Sequence, residues 1–316
     1  MKSRILVVSS ANVDFVQRME RVPEPGETII ETEGGYTYIP GGKGANAAVT
    51  FARLGADCVF CAKVGNDANG ARLRQLYSTE GIDVRFLVSD RTLSTGLASI
   101  LVEADGSNRI MVYPGANKNL APSDVEEAFT SYPDALFLQF EIPDKAIFAA
   151  VKFAEEHQIP VFIDAAPARA DFPLDALKKI EIFSLNETET EIFTGIRPTT
   201  AENCLRASIR FSTMLNVRYI VLKLGKRGSY LYDGKYYRTV PSYDVEAVDT
   251  TAAGDIYTAA LTHEYLQTQD IVRAINFATA AAAVSVSRPG ASSSVPTRAE
   301  VVRFLDEKGV VLKGAM

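Results

Sequence analysis

Cysteine and histidine are scarce in this chain of 316 residues, three of the first and two of the second. Cys58, Cys61 and Cys204 are too few, and odd in number, for a disulfide framework, so a reducing compartment, the cytoplasm, is expected. Cys58 and Cys61 form a C-x2-C inside one expected strand, where residues three apart point to opposite faces. Neither His157 nor His263 has ligand spacing to them, which argues against a zinc site, and two histidines in all argue against triad chemistry. His263-Glu264 opens like a zinc-protease helix, but Gln267 stands in the second histidine's place, and the pair reads as helix surface.

Basic residues are not in excess either. Thirty-three Lys and Arg against 39 Asp and Glu give a net charge of −6, which argues against nucleic-acid or anionic-membrane partners. Long apolar runs are missing: Ile5–Val8 is too short for a signal sequence, and the stretch at 277–286 is broken by Thr279 and Ser285. No Gly-x-Ser-x-Gly elbow occurs, and no Gly-x4-Gly-Lys-Ser/Thr phosphate loop.

What is present is ordinary globular composition, 47% hydrophobic and 23% charged, too apolar for disorder. Short β-branched runs alternate with helical patterns. Strands are predicted at Ile5–Val8, Cys58–Val64, Ala135–Leu138, Val161–Asp164, Ile182–Ser184 and Tyr219–Leu222. Helices are predicted at Asn46–Leu54, Ala68–Thr79, Lys145–His157, Ala201–Leu215, Ile256–Leu266, Asp270–Val286 and Arg298–Lys308. Apolar strands separated by helices predict a mostly parallel sheet covered on both faces, a three-layer α/β/α fold. The alanine run Ala278–Ala283 lets its helix pack closely on a neighbour.

Two stretches break the alternation. Phe15–Pro40 holds Pro23-Glu24-Pro25-Gly26 and alternating Thr28, Ile30 and Thr32; Ser94–Gly115 holds Asp105-Gly106 between Leu97–Val102 and Arg109–Val112. Both read as antiparallel strands around turns. The expectation is a small β lid of residues 15–40 and 94–114 over a core of residues 1–14, 41–93 and 115–316.

The most specific chemical signal is Asp249-Thr250-Thr251-Ala252-Ala253-Gly254-Asp255 opening a helix. Small residues allow a tight turn, and the helix start offers free N–H groups to an anion. A carboxylate beside such a cradle suits a base that deprotonates a hydroxyl as a phosphoryl group is transferred to it. The plainer reading is that Asp255 only caps the helix. The second signal, Gly41-Gly42-Lys43-Gly44-Ala45-Asn46, opens the first good helix. Gly42, Gly44 and Ala47 also fit a weak dinucleotide fingerprint, but a hairpin rather than the first strand precedes them, so a nicotinamide site fits poorly.

With these, Asn12-Val13-Asp14, Pro25-Gly26-Glu27-Thr28, Ser94-Thr95-Gly96, Pro114-Gly115-Ala116-Asn117 and Asn186-Glu187-Thr188-Glu189 occur in order along nearly the whole chain. In this the sequence resembles the ribokinase-like family of ATP-dependent carbohydrate kinases, and the Gly-Gly-Lys-Gly-Ala-Asn form resembles its ribose-phosphorylating branch. The resemblance implies that Asn12, Asp14, Gly42, Lys43, Asn46 and Glu141 bind sugar hydroxyls, with Asp255 as general base. It implies amides of Ala252, Ala253 and Gly254 as an anion hole, and Asn186, Lys223, Gly225, Gly228, Gly254, Asn276 and Thr279 around the nucleotide. Glu189 would hold magnesium through water, and Asp249, Thr251, Ser285, Arg288, Gly290 and Ser294 an activating potassium ion. The implied reaction is transfer from MgATP to the 5-hydroxyl of D-ribose, by a homodimer joined through the lid. Another sugar or nucleoside (deoxyribose, fructose, ketodeoxygluconate, pseudouridine) and an inactive sugar-binding regulator are the alternatives. Two places depart from the family pattern: Lys223 replaces a small hydroxyl residue, and Ile256-Tyr257-Thr258-Ala259 follows the base.

Overall fold

The structure, a computed structural model, describes residues 2–31 and 34–310. Strand β1 (Arg4–Val8) starts a large sheet, and the chain then leaves it for β2 (Asn12–Arg18) and β3 (Gly35–Gly41). Helix α1 (Lys43–Leu54) leads to β4 (Asp57–Gly65), α2 (Ala68–Thr79) and β5 (Leu87–Asp90). Strands β6 (Gly96–Val102) and β7 (Asn108–Tyr113) complete a small second sheet. The alternation resumes with α3 (Pro122–Phe129), β8 (Ala135–Gln139), α4 (Asp144–Glu156), β9 (Val161–Asp164) and β10 (Ile180–Asn186). It continues through α5 (Glu187–Thr194), α6 (Ala201–Met214) and β11 (Val217–Lys223) to the edge strands β12 (Ser229–Tyr232) and β13 (Tyr237–Val240). Helices α7 (Ala253–Thr268), α8 (Ile271–Val286) and α9 (Arg298–Glu307) follow.

The nine-stranded sheet runs β13-β12-β11-β10-β9-β8-β1-β4-β5, parallel except where β12 and β13 pair at one edge. Its strands are apolar on both faces because both faces are covered. Ile5, Val7, Cys58 and Phe60 pack with α1, α7 and α8, while Leu6, Val8, Val59 and Cys61 pack on the opposite side with α3 and α4. The C-x2-C is thus split between two cores, as the strand period requires. Helix ends follow their local sequences. Gly55 ends α1 in the left-handed conformation, Asp270 accepts the amides of Val272 and Arg273, and Thr297 with Glu300 forms a capping box on α9. Ala278 and Ala281 of α8 lie in one cluster with Ala259 and Ala260 of α7, the close packing expected of the alanine run.

The small sheet differs from the expectation of antiparallel strands throughout. Its order is β3-β2-β6-β7, and the central pair, β2 with β6, is parallel. The two sequence pieces meet side by side, and only within each piece is the pairing antiparallel. Thr28 and Ile30 lie in an irregular connection rather than a strand, after two prolines that cannot donate to a ladder. Thr32 lies outside the described residues.

The expectation of an exposed His263-Glu264 pair is overturned. His263 is 4% and Glu264 0% exposed, because α7 is buried on every side from Asp255 to Tyr265 and has no polar face to read. Burial, with Arg298 nearby, pushes His263 down to about 4 and keeps it neutral. Glu264 accepts from Arg273 Nε and from Arg298 Nη1, each at 2.7 Å, and so ties α7 to α8 and α9. Replacing Glu264 with Ala removes the carboxylate that both arginines share; urea unfolding should show a loss of about 3–5 kcal/mol.

Candidate active site

Strand order in the large sheet reverses at β1, whose neighbours are β4 and β8, and such a reversal opens a crevice at the carboxyl ends of the strands. Ser9 and Ser10 follow β1, Gln139 ends β8, Asp164 ends β9, Asn186 ends β10 and Lys223 ends β11. Parallel register sets Gln139 beside Asp164 and Asn186 beside Lys223. A row of polar groups thus stands on the last rungs of otherwise apolar strands.

One wall is built by the Gly41–Asn46 turn. Gly42 has φ 90°, which L side chains rarely adopt, and a Cβ on Gly41 would fall 2.1 Å from Asp14 Oδ1. The glycines therefore let the Asp14 carboxylate lie against the backbone before α1. Glu141 accepts the Lys43 amide at 3.1 Å and the Ser10 hydroxyl, filling the capping role that Gly42 lacks. Asn12 is 2% exposed and its Oδ1 accepts from Asn117 Nδ2 at 2.7 Å, while Asn117 also bonds both backbone groups of Ala11. Burial above all, then Glu141 and Asp255, pushes Asp14 up to about 7.

Asp255 stands between this wall and the start of α7. It is 5% exposed and accepts from Asn46 Nδ2 at 2.8 Å and Gln139 Nε2 at 3.1 Å. Burial raises its pKa, Asp164 adds to the rise, and Lys43 is the strongest influence against it. Lys43 is held above its ordinary value chiefly by Asp255 and so stays charged. Asn46 Oδ1 is buried with no partner among the described residues, an acceptor available to a ligand hydroxyl. Asp255 therefore does not cap the helix, since no side chain caps α7.

On the far side of Asp255, Ala252 takes up a left-handed backbone with φ 62° and turns the chain into α7. The Ala253 amide donates to the Thr250 carbonyl at 3.2 Å, so of the three amides expected to face an anion this one is engaged. The amides of Ala252 and Gly254, and that of Asp255, meet no carbonyl among the described residues. A cavity of about 470 Å³ opens here, lined by Lys43, Asp164, Asn186, Glu189, Lys223, Gly254 and Asp255. A second, of about 500 Å³, adjoins it and is lined by Gly225, Gly228, Tyr243, Tyr257 and Thr279. Lys223, Gly225, Thr250, Ala253 and Gly254 line both.

The structure brings most of the expected residues to this crevice. Asn276 is not among them: its Nδ2 donates to the Val272 carbonyl within α8, and like the residues expected around potassium it lines neither cavity. Asn186 and Glu189 form a capping box on α5, with Glu189 8% exposed and pushed up by burial. Asp249 accepts the amides of Thr251 and Gly290, both at 2.9 Å, and the Ser285 and Ser294 hydroxyls are 2.7 Å apart. Arg288 turns away to pair with Glu300. Gln139, Asp164, Asn117 and Thr258 escaped the sequence reading. A polar residue ending an apolar run was the signal for Gln139 and Asp164, and Asn117 lay within a motif already noted.

A family model described as pfkB family carbohydrate kinase matches residues 2–298. The chain belongs to that family. The pfkB kinase is 34% identical over 304 residues to a ribokinase of Staphylococcus aureus (strain COL), covering 95% of this chain and 99% of that one. It is 31% identical over 303 residues to a deoxyribokinase of Salmonella typhi, covering 95% and 98%. It superposes on the structure of Arabidopsis thaliana ribokinase complexed with ribose and ATP with a TM-score of 0.88, at 31% identity and 100% coverage of both chains.

The raised Asp14 makes this kinase less stable where its site is ionised. From the unfolded value of 3.8 to about 7 the folded protein holds a proton that the unfolded chain has lost, so stability falls as pH rises through that window. Asp14→Asn should raise stability at pH 7.5 by on the order of 1–4 kcal/mol. The gain should vanish near pH 4, as thermal unfolding across pH would report.

Proposed function

We propose that this kinase phosphorylates the 5-hydroxyl of D-ribose with MgATP. The observation that carries the reading is the placement of Asp255. It is a buried carboxylate with hydrogen-bonding sugar-side groups on one flank and the free amides of a helix start on the other. A polyol needs convergent donors and acceptors with little net charge, which Asn12, Asp14, Lys43 and Asn46 offer. The sugar lies on their side with its primary hydroxyl at Asp255, and the triphosphate runs through the two joined cavities. As the hydroxyl oxygen bonds to the γ-phosphorus and the bond to the β-phosphate oxygen breaks, Asp255 takes the hydroxyl proton. The Gly254 and Asp255 amides receive charge on the phosphoryl oxygens, and ADP leaves. The raised pKa of Asp255 suits a base that must hold that proton.

Magnesium, when bound with the nucleotide, neutralises triphosphate charge, and the oxygen donors of Glu189 and Asn186 in the phosphate cavity suit a hard cation that keeps its waters. The segments holding Asp249, Thr251, Ser285, Gly290 and Ser294 converge beside the α7 start, and one carboxylate among main-chain oxygens suits a weakly charged ion such as potassium. An ion there would steady the turn that aims the α7 amides.

A coupled ADP-release assay with MgATP and a panel of sugars tests the reading. Turnover should be highest with D-ribose and rise with potassium, and Asp255→Asn should lose about 10²–10⁴ in rate. A sugar such as 2-deoxyribose outrunning ribose would overturn the substrate assignment.

The small sheet carries a second proposal, a homodimer through the lid. Tyr36 (68% exposed), Ile110 (59%) and Met111 (73%) stand on strands of this sheet, and all six residues of the edge strand β7 are exposed. An exposed edge with apolar side chains pairs readily with a second copy. Light scattering at micromolar concentration should give twice the chain mass, and Met111→Lys should lower it; a monomeric wild type would remove the proposal.

A further inference from the structure

Lys223 stands where the family pattern has a small hydroxyl residue, and its surroundings give it a specific place. From the end of β11 its side chain reaches across β10 to Asp164 at the end of β9, with which it forms an ion pair. Its ammonium also donates to Thr258 Oγ1 at 3.2 Å, and Thr258 in turn donates to the Gly254 carbonyl at 3.1 Å. A Cβ built on Gly254 would lie 3.5 Å from Lys223 Nζ. Only 11% of this side chain and 1% of that of Asp164 are exposed, so solvent screens the pair little. Lys223 also lines both cavities, at the place where they join.

Burial pulls the Lys223 pKa down, but Asp164 and Glu189 more than offset it and hold it above its ordinary value, so the group stays ammonium. A phosphoryl group passing from the nucleotide cavity to Asp255 then meets Lys43 on the sugar side and Lys223 on the nucleotide side. Lys43 is already tied electrostatically to Asp255, whereas the Lys223 ammonium lies beside Gly254, whose amide meets no carbonyl among the described residues.

We infer that Lys223 is a catalytic residue of this kinase: its ammonium contacts the β- and γ-phosphoryl oxygens of the donor and stabilises the charge that builds there during transfer, work that a small hydroxyl at this position would do only as a neutral donor. This rests on the kinase reading, not on the identity of the sugar. Lys223 gives up no proton: the hydroxyl proton goes to Asp255, the O–P bond to the sugar forms, and the bond to the β-phosphate oxygen breaks.

Lys223→Met alone would leave Asp164 buried without its partner, so the informative variant is the neutral pair Lys223→Met with Asp164→Asn. Dissociation constants for MgATP, ADP and AMP, measured by calorimetry without sugar, are compared with kcat on the best sugar and with thermal unfolding. The double variant should stay folded with its melting temperature within a few degrees of wild type and should bind AMP as wild type does. It should bind MgATP and ADP at least tenfold more weakly and turn over roughly 10²–10³ more slowly, the usual effect of losing one charge-stabilising donor. Lys223→Thr with Asp164→Asn should fall between it and wild type. Unchanged kcat in the double variant, or equal losses for AMP and ATP, would overturn the inference. The nucleotide constants do not depend on the sugar, so a failure of the ribose assignment would leave this test intact.

Discussion

A carboxylate that is 5% exposed is costly to ionise, and four distant parts of this kinase meet at Asp255 to offset that cost. Two side-chain amides, from Asn46 on α1 and Gln139 on β8, donate to its two oxygens. Two lysines, Lys43 and Lys223, reach toward it from opposite sides of the crevice, and each is itself balanced by acids. No one of these elements is near another in sequence. The carboxylate is satisfied only when α1, α7, β8 and β11 are all in place, which makes the setting of Asp255 a readout of the finished fold. That balance leaves the pKa raised but not free to drift, because the cations and acids are held by packing rather than by solvent.

The topology explains how so many polar groups can meet in so apolar a sheet. Parallel strands covered on both faces tolerate polar side chains at their carboxyl ends, where the covering helices have not yet begun. Each strand from β8 to β11 ends on a polar residue, Gln139, Asp164, Asn186 and Lys223 in turn, and Ser184 of β10 pairs in register with Asp164. Below them Phe137, Phe162, Phe183 and Val221 are fully buried. A shift of one residue in any of these registers would carry a polar group into the core or a large apolar one into the site.

How legible this was depended on whether a signal was local. The alternation of strands and helices, the Gly41–Asn46 turn and the small-residue run before Asp255 are local, and each marks a backbone geometry that few other residues allow. The sequence reading therefore found the sheet, most helices and the turn that sets Asp255 at the start of α7. It missed Gln139 and Asp164 because their significance lies in register between strands that are distant in the chain, which hydrophobic periodicity does not encode. It misjudged His263-Glu264 because a helix buried on all sides carries no amphipathic stripe, and a charged residue in it looks like surface until its two arginines are seen. It took the small sheet for antiparallel strands because the pairing of β2 with β6 joins pieces separated by the whole α1–β5 segment.

That parallel pairing has a mechanical consequence. Strand β2 carries Asn12 and Asp14 at the end nearest the main sheet, and β3 runs directly into the Gly41–Asn46 turn. The Asp14 carboxylate rests against Gly41, and Asn12 is clamped by Asn117 from the segment just after β7. Each piece of the small sheet is thus fastened at its base to the wall of the crevice. A rotation of the sheet over the crevice cannot occur without moving Asn12, Asp14 and the turn that positions Asn46. Asn46 in turn holds Asp255. Any movement of the small sheet is in this way also a movement of the groups packed around Asp255, so the two cannot be displaced independently.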